Sequence, residues 1–169
     1  MEQQEAATVD LEFLVQGTQE GQKLELRLWL RMLATTRLVS QEIRRRLRVE
    51  FGATLPQFDV LAQLYRQRDG LRLGELSKRT MVSNGNVTGL VERLEADGLV
   101  LRETLDSDRR VTLAKLTDKG FVHFSAMAAA HESWLRDMMA NVDARTLKLM
   151  LAQMNDIKGS VASRSTGGD

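Results

Sequence analysis

Ser83-Asn-Gly-Asn-Val-Thr-Gly-Leu-Val-Glu-Arg-Leu-Glu-Ala-Asp-Gly98 is followed by Leu99-Val-Leu-Arg-Glu-Thr-Leu105, Asp106-Ser-Asp-Arg-Arg110 and Val111-Thr-Leu-Ala-Lys-Leu116. The first run has helical period: Val87, Leu90, Val91 and Leu94 fall on one side, Ser83 stands where a cap belongs, and Gly98 stands where a helix stops. The next runs carry the clearest β signal in the chain. They read as two strands joined by a polar loop over residues 106–110, a hairpin. Working toward the N-terminus, Met81-Val82 reads as a turn, Gly74 to Thr80 as a short helix, and Leu71-Arg72-Leu73 as a strand stub. Before Asp69-Gly70, Thr54-Leu-Pro56 opens a helix with Thr54 as cap and Pro56 in the first turn, and Phe58, Leu61, Leu64 and Tyr65 keep its period. Helix, stub, short helix, turn, helix and hairpin, in that order over residues 54–116, make a winged helix-turn-helix.

In that motif the second helix enters the major groove of DNA. Its core side is Val87, Leu90, Val91 and Leu94; its opposite edge carries Gly85, Gly89 and Glu92, flanked by Asn84, Asn86, Thr88 and Arg93. Two glycines on an exposed helical edge cost about 1 kcal/mol each relative to Ala, which makes sense if something large approaches the backbone. Asn can read adenine, and Thr can meet a base edge or a thymine methyl. Against this stands a plainer reading, in which Asn-Gly-Asn is only a loose helix start. An Arg at a hairpin tip suits a narrow, electronegative minor groove, and Asp108 can orient Arg110 through a charge-assisted bond. Alone, Asp108, Arg109 and Arg110 are an exposed turn; beside the preceding helix they read as a DNA contact. Lys78, Arg79, Arg102 and Arg109, with helix N-termini, are the candidates for phosphate.

These residues resemble the MarR family of bacterial regulators. The resemblance rests on Leu76-Ser-Lys-Arg79, on Ser83 through Val100, on Asp108-Arg-Arg110 and on Leu116-Thr-Asp-Lys-Gly120, with Leu55-Pro-Gln-Phe58 at the start of the family's second helix. It covers residues 24–158. It implies a homodimer with intertwined first and last helices, a palindromic operator, and repression relieved by a small ligand. Asp108 and Arg110 match the family's wing pair, and Ser83 to Thr88 its base-reading helix start. One position departs: many members carry a long basic side chain where Gly89 stands. The expected fold is therefore mostly α with a small two- to three-stranded wing, in which residues 21–53 and 117–158 form a helical dimerisation region.

The flanking sequence fits that division. From Lys23 to Val49, Trp29, Met32, Thr36, Val39, Ile43 and Leu47 form one stripe and Leu26, Leu30 and Leu33 a second, so this helix needs two surfaces, the second most simply a partner subunit. Thr117 caps a helix from Asp118 to about Ala140 bearing Phe121, Phe124, Trp134 and Met138. Asp143 caps a last one bearing Leu147, Met150, Leu151, Met154 and Ile157. Residues 1–20 are acidic and read as flexible, and residues 159–169, rich in Ser and Gly, as a disordered tail. The 169 residues carry a net charge of +1, yet residues 1–20 hold −5 and residues 21–50 hold +5.

The chain has no Cys, which excludes zinc-finger, iron–sulfur and thiol chemistry. It also lacks a membrane-length apolar run and a basic-then-apolar start, and so reads as cytoplasmic, with no membrane partner. Nucleophile elbows, zinc-protease motifs and phosphate-cradling loops are missing, so no enzyme, catalytic residue or cofactor is expected. His123 and His131 are eight residues apart on one helix, about 12 Å of rise, too far to share a metal alone, and no metal ligand is assigned. Two alternatives stay open: a metal-responsive regulator of the same fold, and a helical protein-interaction module that binds no DNA.

Leu28-Trp-Leu-Arg-Met-Leu33 and Arg44-Arg-Arg-Leu-Arg48 resemble the branch of the family that controls aromatic-acid catabolism. That implies a small aromatic or aromatic acyl-CoA effector. Its ring would enter between the first two helices near Met32, Thr36, Phe58 and Tyr65, and its carboxylate or CoA phosphates would meet Arg44 and Arg48. Residue by residue, the competing reading makes Met32, Phe58 and Tyr65 core and leaves the arginines solvated or on DNA phosphate.

Overall fold

A computed structural model describes residues 24–80, 84–105 and 108–165; of residues 84–85, 104–105, 108–111 and 165 it describes the backbone alone. The described residues form six helices and one three-stranded antiparallel sheet. Ser83, the Met81-Val82 turn, Asp106-Ser107 and the acidic segment 1–20 lie outside them. No helix among the described residues is long and apolar enough to cross a membrane.

Helix α1 (Leu24–Phe51) buries only Ile43 and Leu47 within the chain, while Leu24, Leu26, Leu28, Trp29 and Leu38 are exposed, Trp29 to 54%. Among the described residues its long apolar stripe is thus fully buried only toward the C-terminal end. Gly52, at φ +62, ends it by donating to the Arg48 carbonyl. Helix α2 (Leu55–Arg66) begins with a full capping box, in which the Gln57 amide donates to Thr54 Oγ1 and the Gln57 side chain accepts from Thr54 N. Val60, Leu61 and Leu64 are its buried side.

Strand β1 (Leu71–Arg72), helix α3 (Leu73–Thr80) and helix α4 (Asn84–Ala96) follow. Helix α4 ends in a Schellman turn: Leu99 N donates to Leu94 O, Gly98 N to Glu95 O, Gly98 sits at φ +70, and the two leucines are both buried. Strands β2 (Val100–Leu105) and β3 (Asp108–Leu116) pair antiparallel, with β3 in the middle of the order β1-β3-β2. Leu71 faces Ala114 across β1 and β3, and Val100 faces Leu116 across β2 and β3.

Here one expectation is corrected. Residues 108–110 are strand, not loop: Leu105 pairs with Asp108, leaving a two-residue connection, with a register shift between Thr104 and Leu105. Asp is depleted in strands generally, so Asp-Arg-Arg looks like loop; the backbone nonetheless pairs through them, because a two-residue connection is favoured in hairpins.

Thr117 caps helix α5 (Asp118–Met138), accepting from Gly120 N at 2.9 Å. The chain divides into two compact units after Ala130, within α5. Phe124 and Met127 are buried in the first unit and Trp134 in the second. Asp143 caps helix α6 (Ala144–Ser165), its Oδ1 accepting from the amides of Arg145 and Thr146. The expected disordered tail is also corrected: residues 159–165 continue α6. Composition points the other way because Gly and Ser are weak helix formers, but Val161, Ala162 and Arg164 sit among them and keep the helix going.

Candidate nucleic-acid interface

Helices α3 and α4 and the β2–β3 hairpin assemble the site. In α3, Leu76 and Thr80 face inward, Thr80 donating to the Leu76 carbonyl at 2.7 Å, which leaves Lys78 and Arg79 exposed. In α4, Val87, Val91 and Leu94 are buried to 2% exposure or less, and Leu90 is half-buried. The core side expected from sequence is therefore inward, and Asn86 is exposed on the other edge with Thr88 and Gly89 half-buried beside it. A Cβ on Gly89 would meet nothing within 4 Å, so no contact among the described residues requires glycine there. Asn84 is the first residue of α4; Asp108, Arg109 and Arg110 open β3. The side chains of those four are outside the described ones, and so is the expected Asp108–Arg110 pairing.

Arg102, expected on phosphate, is paired with two acids of α4. Its Nε donates to Glu95 Oε2 at 2.7 Å and its Nη1 to Glu92 Oε1 at 3.2 Å, tying β2 to α4. Sequence reading missed this network. The available signal was two acids three residues apart on the helix and an Arg just past a Gly turn that folds the strand back. Farther along the hairpin, Lys115 donates to Glu103 at 2.7 Å.

Two clefts among the described residues take some of the six effector candidates. Thr36 and Arg44 line a cleft of about 360 Å3 with Arg37, Ser40 and Gln41, all on α1. Tyr65 lines another, of about 320 Å3, with Arg68, Leu116, Thr117, Asp118 and Phe121. There the Tyr65 ring stacks on Phe121 at 4.6 Å, and the Arg68 guanidinium lies 4.4 Å above the other aromatic wall, Phe121. Phe58 packs 5.3 Å from Phe124, Met32 is half-buried, and Arg48 is exposed. On α1 the basic run is partly neutralised: Arg45 and Arg46 both donate to Glu42 at 2.7–2.8 Å, and these bonds lower its carboxyl to about 2. His123 meets Phe51 edge-on at 6.0 Å and His131 meets Trp134 at 6.4 Å.

A family model described as "MarR family" matches residues 53–112, which span α2 through most of β3. The transcriptional activatory protein BadR of Rhodopseudomonas palustris is 31% identical over 145 residues, 80% of this chain and 82% of BadR. Other curated relatives are matched over about half to two thirds of their own length. Among solved structures, a MarR family transcriptional regulator from Silicibacter pomeroyi is 36% identical with a TM-score of 0.71, over 85% of this chain and 99% of that one. Sco3205 of Streptomyces coelicolor, solved in complex with DNA, is 26% identical with a TM-score of 0.69, over 78% of this chain and 83% of that one.

Proposed function

We propose that this chain, which belongs to the MarR family of winged-helix transcriptional regulators, works in the cytoplasm as a homodimer that represses a catabolic operon from a palindromic operator. The observation that carries the reading is the outer edge of α4, where Asn86 is exposed and Gly89 leaves open space over a buried Val87, Val91 and Leu94. In the proposed complex α4 lies in the major groove, and Asn84, Asn86 and Thr88 read base edges. Ser83, which precedes α4 in sequence, is assigned to the same DNA contact. Lys78, Arg79 and Arg109 hold phosphates and set register, and Arg110, oriented by Asp108, enters the adjacent minor groove. Two copies place their reading helices about 10 base pairs apart.

A small aromatic acid, free or as its CoA thioester, releases the operator. Met32, Thr36, Phe58 and Tyr65 meet its ring, and Arg44 and Arg48 its carboxylate or CoA phosphates. It acts by binding preferentially to a dimer whose reading heads are wrongly spaced, or by covering the DNA surface.

A gel shift on the DNA upstream of the chain's own gene tests the central reading: retention is expected, falling steeply with salt as counterions are released, and no retention at low salt overturns it. A reporter at that promoter should rise when the gene is deleted. The description of BadR as a transcriptional activatory protein favours a second reading, activation, under which the same reporter falls. Titration calorimetry with hydroxycinnamoyl-CoA thioesters against the free acids tests the effector class; heat from neither removes it.

A further inference from the structure

We propose that Arg102 is a positioning residue of the DNA-binding head: gripped by Glu95 and Glu92, it sets the angle between α4 and the first strand of the wing and makes no phosphate contact of its own. The inference rests on the DNA-binding reading above. Arg102 is the third residue of β2, just beyond the Schellman turn that reverses the chain after α4. Its Nε and Nη2 both lie 2.7 Å from Glu95 Oε2, and its Nη1 lies 3.2 Å from Glu92 Oε1. Each guanidinium nitrogen therefore faces a carboxylate. Glu92 and Glu95 stand one turn apart on the same side of α4, so the planar fork fastens the strand to the helix at two points and fixes direction as well as distance.

Three considerations separate this from an ordinary surface pair. Exposed ion pairs add little to folding, so holding α4 and β2 together thermodynamically is a poor use of three charges. The cluster sums to −1, which gives phosphate no net attraction. And β2 is braced in turn to β3 through Lys115 and Glu103 at 2.7 Å, so whatever orients Arg102 orients the hairpin that carries Arg109 and Arg110. Glu95 takes the two short contacts and is the main anchor; Glu92 is the longer, secondary one.

The sign of one substitution tests the idea. Removing a negative charge from a DNA-binding face ordinarily tightens binding to any sequence, whereas loss of an anchor weakens binding to the cognate sequence. The probes are a duplex enriched from a random-sequence library by the wild-type chain and a scrambled duplex of equal composition, read by fluorescence anisotropy across a salt series. Glu95→Gln is expected to lower the ratio of cognate to scrambled affinity about 3- to 10-fold despite its gain of positive charge, with Glu92→Gln smaller in the same direction. Arg102→Gln should lower the ratio similarly while leaving the salt slope unchanged. The charge-swapped pair Glu95→Arg with Arg102→Glu should recover the ratio, and circular dichroism spectra matching wild type show that the single variants fold. Tighter binding of Glu95→Gln to both duplexes, or a salt slope reduced by about one in Arg102→Gln, overturns the proposal and returns Arg102 to phosphate. Failure of the wild-type chain to enrich any sequence overturns instead the DNA-binding reading beneath it.

Discussion

A Cβ at Gly120 would overlap the carbonyl oxygen of Leu99, the residue that completes the turn after α4. Two further bonds pin the same junction: Thr117 Oγ1 donates to Gly98 O at 2.8 Å, and Lys119 Nζ to Asp97 O at 2.7 Å. The start of α5 is thus fastened backbone to backbone against the end of α4, and a side chain at Gly120 must push the two apart. Gly120→Ala is expected to destabilise the fold by about 1–3 kcal/mol, as overpacking does, seen as a lowered urea midpoint. Gly74→Ala, where a Cβ meets nothing within 4 Å, is the control and should not lose stability. Equal midpoints for the two variants would refute the close approach.

That junction shows what a sequence discloses. Thr54 with Gln57, Thr117 with Gly120, and Gly98 after Leu94 are local devices whose partners lie within a few residues, so spacing alone announces them. The inward side of α4 is legible for the same reason. The Arg102 grip is not: its acids are seven and ten residues away, and meet it only once the chain has reversed at Gly98. The Tyr65–Phe121 stack joins residues still farther apart. Strand residues 108–110 and helical residues 159–165 were misread where composition and local context disagree, since charge and small side chains describe preference rather than pairing. That Thr36 and Arg44 line one cleft and Tyr65 another is illegible for the same reason, because periodicity assigns a residue to a face but not to a neighbour.

Gly89 separates folding from function. None of the described residues occupies the space its Cβ would take, and it stands in the interior of α4 with an ordinary helical backbone. Gly89→Ala should therefore raise stability by about 0.4–1 kcal/mol by restricting the unfolded chain. If close approach of a duplex is the reason for glycine, the same variant binds cognate DNA more weakly. A variant both more stable and fully competent in anisotropy would show that the glycine serves no contact.

Two aspartates respond to acid in opposite senses. Thr146, through its hydroxyl and amide, holds the Asp143 carboxyl below its ordinary value, so its contribution is complete above the ordinary carboxylate range and is lost as pH falls through the lower folded-state value. Burial pushes Asp59 up; its neutral form is favoured in the fold, and the stability this gives is complete in acid and lost as pH rises through the raised value. Asp59→Asn should accordingly raise the denaturant midpoint at neutral pH, with the gain shrinking toward about pH 4. Asp143→Asn, which still caps, should match wild type at neutral pH and flatten the loss in acid. An Asp59→Asn gain that is the same at every pH would exclude titration as its cause.

Arg110 belongs to β3, two residues after Asp108, at the end of the hairpin. The proposed wing contact rests on that guanidinium. Arg110→Ala is expected to weaken cognate binding by about 1–3 kcal/mol and to leave the circular dichroism spectrum and the denaturant midpoint unchanged. Unchanged affinity at matched salt would remove the wing from the interface.

Leu151 is 66% exposed on α6, and Leu149, Met150 and Val161 on the same helix are exposed as well. Scattered exposed leucines are ordinary, but Leu147, Met150, Leu151, Met154 and Ile157 recur at helical spacing and share one face, a stripe that exceeds what a helix facing only water carries. In the proposed homodimer this face is covered by the second copy, together with the open stripe of Leu24, Leu28 and Trp29 on α1. Leu151→Asp then buries an unpaired charge in the dimer, which costs several kcal/mol, but places it in water in the single chain. Sedimentation velocity should show the variant as a monomer at concentrations where wild type is a dimer, with cognate affinity reduced because one reading head is lost. An intact Leu151→Asp dimer would move the interface off this face of α6.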